Sequence, residues 1–185
     1  MRVIGLGGWS GAGKTTLLVK LIPELKRRGL TVSTLKHAHH AFDIDQPGKD
    51  SFEHRRAGAS EVLVASRGRW ALVHELRDDA EPPLAALLRR LSPVDLVIVE
   101  GFKADRHPKI EVHRAANGRP YLFREAPNVR AIAADIAIAD APVPVAHLND
   151  VSAIADLALA EARPLGEVIA DLEAAPAFKR LSPTG

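Results

Sequence analysis

The run Gly8-Trp9-Ser10-Gly11-Ala12-Gly13-Lys14-Thr15 constrains this chain more than any other stretch. It fits G-x-x-x-x-G-K-[ST], the spacing of a phosphate-binding loop. Before it stands a short apolar segment compatible with a strand, Val3-Ile4-Gly5-Leu6. After it, Leu17, Leu18, Leu21 and Leu25 recur at the spacing of one helix face. The loop therefore falls between a strand and a helix N-terminus, where backbone N–H groups and the positive end of the helix dipole meet an anion. Gly8, Gly11 and Gly13 permit the dihedrals and the close approach that phosphates demand, with Ser10 and Ala12 in the same nucleotide-binding stretch. Lys14 is expected to reach the β- and γ-phosphates, and the Thr15 hydroxyl to ligate Mg²⁺. The chain is read as nucleotide-binding.

Strand-like and helical patterns alternate after the loop. A helix is expected from Gly13 to Arg28, stopped by Gly29, with Pro23 inside it as a kink or early end. Leu30–Leu35 reads as a strand, and residues 36–49 as a polar segment with turn formers at Pro47 and Gly48. Asp50–Gly58 reads as a short helix. Glu61–Ser66 and Arg69–Leu76, split by Arg67-Gly68, read as an antiparallel hairpin adding an edge to the sheet. Helices follow at Pro82–Leu91, Asp150–Ala162 and Pro164–Ala174, and strands at Asp95–Val99, Ile110–His113, Val129–Ala133 and Val143–Leu148. This order predicts an α/β, three-layer phosphate-loop NTPase fold with a mostly parallel sheet, one domain over 1–174, and a frayed tail at 175–185.

Composition narrows the partners. Residues 1–120 carry a net charge of +6 and residues 121–185 a net charge of −4. The basic excess suits phosphate ligands but is too dispersed for a nucleic-acid face. No apolar run approaches the ~20 residues of a membrane span, and a strand at the N-terminus leaves no room for a signal peptide. Cysteine is absent, which removes disulfides, thiolate metal sites and cysteine nucleophiles. A cytoplasmic location fits.

A phosphate loop works with an acidic residue that ends a buried strand and holds Mg²⁺ or its water shell. Asp95-Leu-Val-Ile-Val-Glu100-Gly101 supplies that pattern, with Glu100 in place of the commoner Asp. Glu100 is expected to contact the metal through water or to act on the attacking water. Asp43 and Asp45 are each read as a metal-shell ligand, a water-positioning residue or a solvated carboxylate. The cluster His37, His39, His40, with His54 beyond, suits an anion better than Zn²⁺ or Ni²⁺, because Lys36, Lys49, Arg55 and Arg56 surround it. Lys103, Lys109 and Arg114 are candidates for holding a second phosphate-bearing molecule, and Trp9 for packing, shielding the loop or stacking on a ligand. The guanine motif Asn-Lys-x-Asp is absent; Asp135 is placed by position alone to accept from guanine N1 and N2 donors.

With these residues in hand, the chain resembles the molybdopterin-guanine dinucleotide biosynthesis adaptor protein B family. The resemblance rests on Gly8–Thr16, on Lys36-His-Ala-His-His with Phe42-Asp-Ile-Asp45 and Pro47-Gly-Lys-Asp-Ser51, on Glu61–Ser66, Asp95–Lys103, Pro108–Arg114 and Leu148–Val151. It implies a GTP-binding accessory protein with weak Mg²⁺-dependent GTPase activity that helps attach GMP to molybdopterin. It further implies a homodimer that contacts molybdopterin nucleotidyltransferase and a molybdenum-insertion protein, and pterin itself is a possible ligand. Carried over by position, Gly11, Gly13, Lys14, Thr15 and Thr16 bind phosphate or Mg²⁺, and Asp45 and Glu100 are the acidic partners. No arginine finger or catalytic Gln is evident, so hydrolysis is expected to be slow. The alternatives are a small-molecule kinase, a binding module without hydrolysis, and a nickel-delivering GTPase. The last shows a Cys-containing metal motif and Asn-Lys-x-Asp, and this chain has neither.

Overall fold

The computed structural model describes residues 1–38 and 42–174. They divide into two compact units, one of Met1–His37 with the chain from Leu84 onward, the other of Ala38–Pro83. In chain order the elements are β1 (Arg2–Gly7), α1 (Lys14–Arg27), β2 (Val32–Lys36), α2 (Asp50–Arg56), β3 (Glu61–Ala65), β4 (Trp70–His74) and α3 (Leu84–Leu88). There follow β5 (Leu96–Glu100), β6 (Lys109–His113), β7 (Val129–Ala134), β8 (Val145–His147), α4 (Val151–Glu161), β9 (Arg163–Pro164) and α5 (Leu165–Ala174).

In the first unit, β2-β5-β1-β6-β7-β8 form a parallel sheet in that order, and β9 pairs antiparallel with the start of β1. Successive strand residues point to opposite faces. Ile4, Leu6, Leu96, Ile98, Ile110 and Val112 meet Leu17, Leu18, Leu21 and Leu25 of α1 and Ile154, Ala155 and Ala158 of α4. Their neighbours Val3, Val97 and Val99 meet Leu84 and Leu88 of α3 and Val168 and Ile169 of α5. Helices on both faces make the expected three layers, and explain why β5 is buried along its whole length. Each such Leu, Ile or Val contributes about 1.5–3 kcal/mol through burial.

The strand order places the site. From β1 the chain crosses through α1 to β2, beyond β5; from β5 it returns past β1 to β6. At such a reversal the loops at the strand carboxyl ends part and leave a crevice. The Gly8–Gly13 loop leaves β1 there, and Glu100, opposite Leu6 in the register, ends β5 beside it.

Two expectations need correction. Helix α1 runs from Lys14 to Arg27 without ending at Pro23. Pro23 and Val19 lie on the exposed side, so the carbonyl that Pro23 leaves without an N–H donor faces water. Strands β3 and β4 do not extend the main sheet; they form a separate two-stranded sheet, Glu61 opposite His74 and Ala65 opposite Trp70. The antiparallel partner in the main sheet is β9, two residues too short for any periodic signal. The tail 175–185 lies outside the described residues.

The second unit holds α2 and the hairpin. Arg55 on α2 binds Asp43 at 2.9 Å, Asp45 at 3.4 Å and Glu75 at 2.6 Å, tying the preceding loop and the end of β4 to the helix. Leu63, Val64, Trp70 and Leu72 of the hairpin remain exposed.

Candidate nucleotide site

Gly8 begins the loop with φ of 145°, and a Cβ there would come within 2.5 Å of the Val112 carbonyl oxygen on β6. Only glycine fits such a position. Gly13, at φ 94°, caps α1 in the left-handed conformation and aims the first helical N–H groups at the loop. Ser10 and Gly11 form the exposed rim, Ala12 packs inward, and Thr16 is exposed at the helix start.

Lys14 folds back over the loop, its Nζ donating to the Gly8 and Trp9 carbonyls at 3.0 Å each. Burial lowers its pKa, with Glu100 opposing and Lys103 and Lys36 adding to the fall. Two further lysines bearing on Lys14, with Glu100 opposing them, make a basin of positive charge suited to a polyanion.

The Thr15 hydroxyl donates to Glu100 Oε1 at 2.7 Å, joining the two residues that sequence spacing paired across 85 positions. Glu100 is buried among the strand ends. A hydroxyl and a carboxylate in this contact supply hard oxygen donors, the set Mg²⁺ takes while keeping several waters. Thr15 and Glu100 therefore fit the metal.

Other candidates are redistributed. Trp9 is buried, donates its indole N–H to the Pro120 carbonyl at 2.8 Å, and carries the Lys103 ammonium 4.4 Å above its ring. Packing is its role in this structure. Lys109 does not face a ligand: it is fully buried, and its Nζ donates to the carbonyls of Phe102, Lys103 and Asp105 at 3.1, 2.9 and 2.8 Å. Burial brings its pKa down to about 7, against the pull of Asp105. His107 lies buried against Gly5, and desolvation, then Lys109, hold it neutral. Glu111 accepts from the N–H groups of Leu122 and Phe123 at 2.7 and 2.8 Å. The charged run that reads as a strand end is thus largely interior.

Asp45 sits in the second unit, its carboxylate accepting from Ser51 at 2.9 Å and from Arg55 at 3.4 Å. Asp43 accepts two bonds from Arg55 at 2.9 Å. His37 packs on the Phe102 ring with centroids 4.7 Å apart, and its backbone N–H donates to the Glu100 carbonyl. His39 and His40 lie outside the described residues, and His54 is exposed on α2. Asp135, at the carboxyl end of β7, accepts from the Ala115 N–H at 2.8 Å and faces Arg114 at 3.7 Å. In this engagement Asp135 anchors the chain that follows β6.

Sequence reasoning missed Asn117, whose side-chain amide donates to the Ser10 carbonyl at 2.8 Å. Nothing local marks it; only the β1–β6 pairing brings residues 112–117 onto the loop.

A family model described as "Molybdopterin guanine dinucleotide synthesis protein B" matches residues 3–135. The chain belongs to this family. It is 44% identical, over 83% of its length and 89% of the relative's, to a protein of Escherichia coli (strain K12) named molybdopterin-guanine dinucleotide biosynthesis adapter protein. Among solved structures it is similar to the MobB protein homolog from Bacillus stearothermophilus, with a TM-score of 0.63, 28% identity, and coverage of 90% of this chain and 97% of that one. It is also similar to a crystal structure of molybdopterin-guanine biosynthesis protein B, with a TM-score of 0.66, 27% identity, and coverage of 85% and 97%. Among the described residues no helix is long and apolar enough to cross a membrane.

Proposed function

We propose that this chain is a GTP-binding adapter in the biosynthesis of molybdopterin-guanine dinucleotide, one that assists a nucleotidyltransferase in joining GMP to molybdopterin. The observation that carries the nucleotide half is the Thr15–Glu100 contact beside a glycine-capped helix and a folded-back Lys14. The adapter half rests on family membership and on the name of the Escherichia coli relative. Backbone N–H groups of the loop and Lys14 bind and orient the polyphosphate. Thr15 and Glu100 hold Mg²⁺, which neutralises phosphate charge when bound. Asp45 is a further acidic partner that would have to leave Arg55 to serve the metal. Hydrolysis is slow and subordinate to docking. The cytoplasm, where nucleotide triphosphates are available, is the proposed location.

A homodimer is part of the same reading, supported by Leu63, Trp70 and Leu72, which a single chain leaves 61%, 66% and 41% exposed. Molybdopterin nucleotidyltransferase and a molybdenum-insertion protein are the proposed partners. The test is the rate of guanine dinucleotide formation by the purified nucleotidyltransferase, with and without this protein, at limiting GTP. Stimulation that needs intact Lys14 is expected. No stimulation, together with fast phosphoryl transfer from ATP to a metabolite, would point to the kinase alternative.

A further inference from the structure

Arg114 follows β6 directly and lies against the loop. Its Nη2 and Nε are 3.5 and 3.9 Å from the point where a Cβ on Gly13 would stand. Its ion partner is Asp135, with Nη1 3.7 Å from Oδ2, too long for a hydrogen bond. The side chains are 42% and 26% exposed, so this pair contributes little stability. The backbone that carries Arg114 is nonetheless held from three directions, two of them on the loop. The Val112 carbonyl closes on Gly8, Asn117 donates to the Ser10 carbonyl, and Asp135 accepts from the Ala115 N–H. A guanidinium over Gly13, carried on a fixed backbone, loosely paired and partly in water, is a cation with its donors in reserve.

The geometry points to Arg114 as a second side-chain cation of the polyphosphate site, supplied in cis, which exchanges Asp135 for the phosphates of the bound nucleotide. The inference rests on the nucleotide reading of the loop. Arginine suits the task because its planar fork matches phosphate oxygens two at a time. Of the neighbouring cations other than Lys14, Lys103 sits over Trp9 and Lys109 is sealed beneath residues 102–105. Asp135 then acts as the positioning residue that parks the guanidinium when no ligand is bound.

The test is calorimetric binding of GTP with Mg²⁺ to the full chain as wild type, Arg114→Ala, Arg114→Gln and Arg114→Lys, each at two ionic strengths. Arg114→Ala and Arg114→Gln are expected to bind about tenfold more weakly or worse, as for a lost charge-assisted bond. Arg114→Lys should fall between them and wild type. Added salt should weaken binding less in the neutral variants, a readout that a structural role would not move. Should Arg114→Ala fail to fold, Arg114→Gln decides. Wild-type affinity in the neutral variants, with only a lowered melting temperature, overturns the inference and spares the loop. A wild-type protein that binds no nucleotide overturns the loop reading and the inference together.

Discussion

A lysine taken wholly out of water is costly unless its protons find acceptors, and Lys109 finds three carbonyls in the turn after Glu100-Gly101. Its pKa nevertheless falls from the ordinary 10.5 to about 7, because burial outweighs the nearby Asp105. Between those values the unfolded chain holds a proton that the folded chain has released, so stability rises with pH above about 7 and levels off near 10.5. Below pH 7 both states are charged and the penalty is constant. Denaturant midpoints measured across this window should climb for wild type relative to Lys109→Met, which has no proton to lose. Parallel profiles would contradict the assignment. At this scale the loop residues were legible, because Gly8, Gly13, Lys14 and Thr15 carry their chemistry in local spacing. Lys109, His107 and Glu111 were not, since a charged residue in sequence looks the same whether water or three carbonyls surround it.

At the scale of elements, periodicity located the strands and helices within a few residues wherever a face is buried. Ile98 and Val99 point into different cores, and that double burial is why β5 reads as one continuous apolar run. It failed where pairing is set from afar. β9 is a two-residue partner of Arg2 and Val3, and the hairpin satisfies its own ladder instead of joining the main sheet. Of the two effects expected of Pro23, a kink or an early end, the early end does not occur. A helix interior tolerates proline when the freed carbonyl is hydrated, and packing of Leu21 and Leu25 then outweighs the lost bond. The residual cost remains in the native state. Pro23→Ala should therefore raise the unfolding free energy by about 1–3 kcal/mol, read from urea denaturation. No gain would mean that Pro23 fits this helix at no net cost.

For the whole molecule, the decisive step is topological. The reversal of strand order at β1 gathers the ends of β1, β5 and β6 and delivers Gly8–Thr15, Glu100 and Arg114–Asn117 to one crevice. The strand–loop–helix motif and the buried strand ending in Glu100 made the first two of these foreseeable. The third was not, because its place depends on the β1–β6 register and on contacts with residues about 100 positions away. Asp43 and Asp45 show the opposite case: sequence leaves each open between a metal-shell ligand, a water-positioning residue and a solvated carboxylate, and only the structure brings both onto Arg55. The proposed adapter role requires the loop to be a working nucleotide site. The most direct measurement is the thermal stability of wild type and Lys14→Ala with and without excess GTP and Mg²⁺, confirmed by calorimetry. Ligand at about 100 times its dissociation constant should add ~2.7 kcal/mol to wild type and nothing to Lys14→Ala. Equal stabilisation of both, or of neither, would contradict it.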